Sequence, residues 1–196
     1  KMETIHKRSL DENVNKESLY NVWAKDYDDY LKKLGYTGPQ NMAELLSDHI
    51  DNKEVILDFG CGTGLLGQEI KKRIKPKYLY GVDISMGMIA KSMKKKIYNR
   101  LFCLDLSKNG DFSIENLSVV VSCGVFLEGH VSFEIIPKIM NLLKLGGRFF
   151  FTTRLSFYKK HKELLGIILK KYKTIFITNL NYLPDVDCLA IAIKKI

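Results

Sequence analysis

The chain has 196 residues, 46% of them hydrophobic, with 31 lysines and arginines against 22 aspartates and glutamates, a formal net charge of +9. That length suits one domain with a sizeable core. No apolar run reaches the ~18 residues of a membrane-spanning helix, the N-terminus leads into polar residues rather than a secretory segment, and Cys61, Cys103, Cys123 and Cys188 are too scattered for a zinc site or a disulfide framework.

A soluble cytoplasmic protein with reduced thiols and no metal is therefore expected. The lysine clusters Lys71-Lys72, Lys94-Lys95-Lys96, Lys159-Lys160 and Lys170-Lys171 fall at expected helix ends, so solvated helix surface is favoured over a nucleic-acid partner. Residues 1–15 are polar without periodicity and read as a mobile arm, leaving 16–196 as the domain. Across residues 18–33, Leu19, Val22, Trp23, Tyr27, Tyr30 and Leu34 recur at helical spacing and predict one amphipathic helix with an aromatic face. Gly35 stops it, and Gly38-Pro39 opens a second helix running to about residue 50.

From residue 51 the pattern changes to short β-branched and aliphatic runs separated by helical stretches, which predicts a doubly wound α/β fold. Strands are expected at 55–58, 78–83, 100–104, 119–122, 148–153, 174–179 and 188–193. Helices are expected near 65–74, 86–96 and 133–143, with a weak, shortened crossover around 109–116. The loop holding Tyr182, Pro184 and Asp185 is too short for a right-handed crossover, so the last two strands should be antiparallel. The result is a seven-stranded, mostly parallel sheet with one antiparallel strand.

The first strand ends in Asp58-Phe59-Gly60-Cys61-Gly62-Thr63-Gly64, where glycines let backbone turn sharply and approach a ligand at a helix N-terminus. Asp83 ends the next strand, placed to accept hydrogen bonds from both ribose hydroxyls of a nucleoside. Two readings compete. Gly62-Thr63-Gly64-Leu65-Leu66-Gly67 satisfies the dinucleotide pattern G-x-G-x-x-G. Against it, Asp58 would repel a pyrophosphate and suits an ammonium group. Asp105, closing the third strand, can accept from an exocyclic adenine amine between apolar neighbours. Three acids on three successive strand ends favour a cationic, phosphate-free nucleoside, although Asp58 and Asp105 could also cap helices and Asp83-Ile84-Ser85 could simply start one.

These segments resemble the class I S-adenosylmethionine-dependent methyltransferases, from Trp23 to the C-terminus. Val55 to Gly64 is similar to the family's first motif, and Tyr80-Gly81-Val82-Asp83-Ile84-Ser85 followed by Met88 to its second. Leu145-Gly146-Gly147 is similar to its turn before strand five, with Leu145 in place of the usual proline. Trp23-Ala24-Lys25-Asp26-Tyr27-Asp28, Tyr36-Thr37-Gly38-Pro39, Ser122-Cys123-Gly124-Val125-Phe126 with Gly129-His130, and Thr152-Thr153-Arg154 resemble more narrowly the methyltransferase-like proteins of the Williams-Beuren region type.

The resemblance implies a Rossmann-like core at 51–196 and a helical lid at 16–50, with S-adenosylmethionine as cofactor and S-adenosylhomocysteine as product. It implies that Gly60, Cys61, Gly62, Gly64, Leu65, Ile84, Ser85, Met88, Leu106, Ser122 and Cys123 join Asp58, Asp83 and Asp105 in the cofactor site, with Trp23 and Tyr27 near its methionine end.

Methyl transfer from a sulfonium needs alignment and exclusion of water more than it needs a metal. If the acceptor must lose a proton, His130 is the first candidate base and Glu128 the second. Arg154, ending strand five, can pair with a carboxylate or phosphate on the substrate, beside Tyr27. Ser122-Cys123-Gly124-Val125 lacks the Pro-Pro-aromatic of enzymes acting on base amines and the Pro-Cys of those acting on cytosine carbon. A small-molecule acceptor is therefore expected. An RNA or protein methyltransferase, a cofactor-binding partner without turnover and an NAD-dependent oxidoreductase are the alternatives.

Overall fold

The computed structural model describes residues 2–108 and 112–196. Its centre is one sheet built from β1 (Val55–Phe59), β2 (Tyr78–Asp83), β3 (Arg100–Cys103), β4 (Val119–Phe126), β5 (Arg148–Arg154), β6 (Lys173–Asn179) and β7 (Cys188–Lys194). The strand order is β3-β2-β1-β4-β5-β7-β6. Strands β1 to β5 pair in parallel, and β7 lies antiparallel to both β5 and β6. The expected single antiparallel strand is thus β7, inserted between its two neighbours.

Val55-Ile56-Leu57 and Val119-Val120-Val121 are unbroken apolar runs because β1 and β4 are covered on both faces. One face packs Leu57, Val120, Phe149 and Phe151 with Phe126 and Phe133. The other packs Ile56, Val119, Val121 and Phe150 with Met42 and Leu46 of α4 (Gly38–Ser47) and Leu66 and Ile70 of α5 (Leu65–Arg73). The strands leave β1 for β2 on one side and for β4 on the other, so the crevice at their carboxyl ends opens over β1.

Three sequence expectations need correction. The helix expected over 18–33 is two helices, α2 (Lys16–Trp23) and α3 (Tyr27–Lys33). Each half meets its own anchor. Asn21 Oδ1 in α2 accepts from Ser85 Oγ and the Gly87 amide, both at 2.8 Å. Asp28 in α3 accepts from Thr63 Oγ1 and pairs with Lys95 Nζ at 2.7 Å. Such tertiary contacts override the continuity that periodicity suggests.

The N-terminal stretch read as an arm contains α1 (Met2–Ser9). His6 Nδ1 meets Tyr30 Oη at 3.0 Å, and Gly129 leaves room for the Leu10 backbone, which a Cβ there would meet at 2.5 Å. Contacts this few make no periodic stripe. The third correction is β4, expected to stop at residue 122 but continuing to Phe126 through a register shift. Gly124, at φ +78, supplies the bulge, and its amide is held by Thr152 Oγ1 at 3.0 Å.

The crossover expected around 109–116 begins outside the described residues, and its described part carries no helix. The α6 helix (Met86–Lys94) follows β2, α7 (Ile136–Leu142) follows a 3-10 turn at Phe133–Ile135, and α8 (Leu155–Lys160) and α9 (Lys162–Leu169) join β5 to β6. Among the described residues, no helix is long and apolar enough to cross a membrane.

Candidate active site

The loop after β1 is held against the end of β2: the Gly60 and Cys61 amides donate to Val82 O at 2.9 and 3.0 Å, and the Gly62 amide donates to Asp83 Oδ2 at 2.9 Å. Two of its glycines serve different needs. At Gly60 a Cβ would stand 2.4 Å from Val125 Cγ2, so this residue is small because β4 crowds it. At Gly62, with φ +53, a Cβ would meet nothing within 4 Å, so this residue faces open space.

That space is a cavity of about 370 Å³, walled largely by apolar groups including Phe59, Val82, Ile84, Met88, Leu104 and Leu106. Asp83 and Asp105 line it. Asp83 Oδ1 accepts from the Ser85 amide at 2.9 Å, so both carboxylate oxygens are held by backbone donors and keep acceptor capacity for a ligand diol. Burial raises its pKa, while the backbone bonds from Ser85, Gly62 and Ile84 pull it back. For Asp105, burial is outweighed by bonds from the Ser107 hydroxyl and amide and by Lys108 at 3.2 Å, which keep its pKa below the ordinary value.

Asp58 is 1% exposed and sits in a recess of about 40 Å³ shared with Tyr27, Tyr36, Thr63 and Cys123. Burial pushes its pKa up to about 7, against the Tyr98 hydroxyl donating at 2.6 Å and with the Asp83 charge adding to the rise. Neither Asp58 nor Asp83 has an ion-pair partner among the described residues. Two neighbouring acids without a counter-cation suit a ligand that brings one.

Tyr98 has no motif to announce it, but its space is written in glycines. A Cβ at Gly67 would lie 2.3 Å from its hydroxyl, one at Gly81 3.1 Å from its ring and one at Gly64 3.3 Å from it. The last glycine of the apparent dinucleotide pattern therefore makes room for the tyrosine that holds Asp58.

His130 lines the main cavity, with Nδ1 3.0 Å from Glu128 O and Nε2 2.5 Å from Tyr20 Oη. Burial lowers its pKa to about 4, against the bond to Glu128 O. The imidazole is neutral at pH 7; its Nδ1–H donates to that carbonyl, and Nε2 accepts from the tyrosine. Tyr20, whose hydroxyl pKa is raised by burial, lines the cavity beside His130. Cys123 is raised to about 12 by burial and lines the cavity as a thiol.

Of the residues singled out from sequence, Tyr27, Gly60, Gly62, Asp83, Ile84, Met88, Asp105, Leu106, Cys123 and His130 line the main cavity. Asp58, Cys61 and Leu65 line the adjoining recess, while Trp23 and Arg154 line a second recess beyond Tyr20. Gly64, Ser85, Ser122 and Glu128 line none of these spaces. Gly64 starts α5 at φ +90, Ser85 Oγ caps α6 at the Met88 amide, and Ser122 Oγ donates to Phe59 O at 2.9 Å. Glu128 Oε1 accepts from Ser156 Oγ at 2.5 Å, and its Oε2 is buried with no hydrogen-bond partner among the described residues.

Asp83→Ala is expected to weaken S-adenosylhomocysteine binding by at least about tenfold, since charge-assisted hydrogen bonds contribute roughly 1.5–3 kcal/mol. Unchanged affinity in titration calorimetry would remove Asp83 from the site.

Comparison with known proteins agrees with this geometry. The family described as "Methyltransferase domain" matches residues 56–147, from β1 through the turn into β5. Methyltransferase-like protein 27 of Homo sapiens is 31% identical over 165 residues, 81% of this chain and 66% of that protein. Ribosomal RNA small subunit methyltransferase C of Pseudomonas putida is 33% identical over 108 residues, 53% of this chain and 32% of that protein. The chain thus spans two thirds or less of the length of these relatives. Geranyl diphosphate C-methyltransferase from Streptomyces coelicolor, solved with S-adenosyl-L-homocysteine, shares the fold at a TM-score of 0.59 and 15% identity, over 79% of this chain and 75% of that one. The chain belongs to the class I S-adenosylmethionine-dependent methyltransferases.

Proposed function

We propose that the protein methylates a small molecule that enters beneath α1 to α3, which act as a lid on the cofactor cavity. The observation that carries this reading is the enclosure of the acceptor side. At Tyr20 and Tyr27 the cavity adjoins a recess of about 40 Å³ under the aromatic rings of the N-terminal helices. Trp23 packs edge-on against Tyr27 at 4.9 Å between centroids and stacks on Tyr20 at 5.7 Å. Such a roof admits a small acceptor and excludes water.

S-adenosylmethionine, when bound, supplies a methyl group activated on a sulfonium. The chain's part is to hold and align. Asp83 accepts from the ribose hydroxyls, Asp58 receives the ammonium, and Asp105 faces the adenine amine between Leu104, Leu106, Ile84 and Met88. At the acceptor end, the Tyr20 oxygen takes a proton from the acceptor as its own passes to His130 Nε2, which Glu128 O keeps in the accepting tautomer. No metal ligand set occurs among the described residues.

The test is to incubate the protein with S-adenosylmethionine labelled in the methyl group and a cell extract, and then to separate small molecules, RNA and protein. Label is expected in the low-mass fraction. Label in RNA would instead favour the reading that the net charge of +9 permits, docking on nucleic acid.

A further inference from the structure

Two buried donors in the lid recess have no acceptor among the described residues. Among the described residues, Trp23, 2% exposed, has no acceptor for its indole Nε1, and Arg154, at the end of β5, buries its Nε without a partner. Both residues line the same recess. No carboxylate lies within ion-pair distance of the Arg154 guanidinium among the described residues; Glu128 accepts from Ser156 Oγ at Oε1 and buries Oε2 without a partner. The titratable groups that line the recess with Arg154 are His6, Tyr20, Tyr27, Tyr36, His130 and Tyr182. Burial and then the Arg154 charge lower the pKa of His6, while His130 is held neutral as described. Buried donors and a cation left unmatched are costly, and a protein keeps them where a ligand completes them.

We propose that this recess is a carboxylate receptor for the methyl acceptor, with the Arg154 fork taking the carboxylate and Trp23 Nε1 adding a second donor. The proposal rests on the small-molecule reading above and names its substrate class: an acceptor bearing a carboxylate that anchors it while another of its atoms faces the methyl group. The chemistry selects a carboxylate. A planar guanidinium matches a planar carboxylate in two parallel bonds, whereas a phosphate dianion would face one cation among neutral rings. A recess of about 40 Å³ accommodates such a headgroup, and it shares Tyr20, Tyr27, Gly124 and His130 with the wall of the main cavity.

The cofactor's own carboxylate is the competing occupant. Its carbon also bears the ammonium assigned to Asp58, whose recess shares only Tyr27 and Tyr36 with this one.

The experiment uses the protein saturated with S-adenosylhomocysteine and measures binding of benzoate and propionate against benzamide and propionamide, with inorganic phosphate as competitor. The acids are expected to bind at least tenfold more tightly than their amides, and Arg154→Gln is expected to erase that preference while Arg154→Lys restores part of it. S-adenosylhomocysteine and 5′-methylthioadenosine, which lacks the amino acid, are titrated in parallel. Equal binding of acid and amide by the unaltered protein overturns the proposal, with no variant needed. So does phosphate outcompeting benzoate, or an Arg154→Gln protein that loses S-adenosylhomocysteine affinity while keeping that for 5′-methylthioadenosine, because the arginine then serves the cofactor. Label on RNA in the fractionation assay sinks the small-molecule reading itself; label on small molecules without acid preference sinks only the receptor.

Discussion

Gly62→Val is expected to weaken S-adenosylhomocysteine binding by at least about a hundredfold, roughly 3 kcal/mol, while the chain stays folded. The outcome depends on where the new atoms go. A Cβ at residue 62 meets no protein atom within 4 Å, so its branches project into the cavity beside Asp83, the volume assigned to the cofactor. The residue also sits at φ +53, where a branched side chain is strained by about 1–2 kcal/mol. That strain lowers stability without removing the fold. Gly60→Val behaves differently, because its Cβ would meet Val125 at 2.4 Å and disturb β4. Calorimetric titration with circular dichroism separates the two outcomes, and a folded Gly62→Val protein that still binds the nucleoside would move the cofactor to another place.

The second large effect is a pH dependence centred on Asp58. With its pKa near 7, this carboxyl is mostly protonated below neutrality in the free protein. An ammonium ligand needs the carboxylate, so binding below pH 7 must release a proton, at about 1.4 kcal/mol or tenfold per pH unit. Affinity for S-adenosylhomocysteine is expected to climb by up to that slope as pH rises from 5 to 7 and to level off above. Asp58→Asn should flatten the profile and lower affinity most at pH 8. Calorimetry in buffers of different ionisation enthalpy reads the proton release directly, and a flat profile in the unaltered protein would break the link between Asp58 and the ammonium.

The same group has a consequence for stability, with a sign that follows from its raised pKa. The folded state holds the Asp58 proton more tightly than the unfolded chain does. Its contribution is full below the unfolded value of 3.8 and is lost as pH rises through about 7. His130 works the other way. Its folded pKa of about 4 lies below the unfolded 6.5, so its contribution is present above 6.5 and lost as pH falls toward 4. The two oppose each other across the same range.

Much of the core was legible because its signals are local. The seven strands show as β-branched and aromatic runs, and glycines at the end of β1 mark backbone that must turn. Asp58, Asp83 and Asp105 could be placed at one edge of the sheet because parallel strands bring their carboxyl ends together. The split between α2 and α3 was not legible, since it depends on Asn21 and Asp28 finding Ser85, Gly87, Thr63 and Lys95 far along the chain. Nor was the extension of β4, which needs Thr152 on the neighbouring strand to hold the Gly124 bulge.

By itself, then, the amino-acid sequence determined the α/β class, the glycine loop and the chemical types gathered around it, because periodicity and turn chemistry act over a few residues. Only the tertiary structure decided which partners those groups meet: Tyr98 against Asp58, Tyr20 against His130, Ser156 against Glu128, and Arg154 with Trp23 in one recess. Burial and pairing set the charge state and role of each side chain, and both depend on residues brought together from distant parts of the chain by the packing of the sheet and its helices.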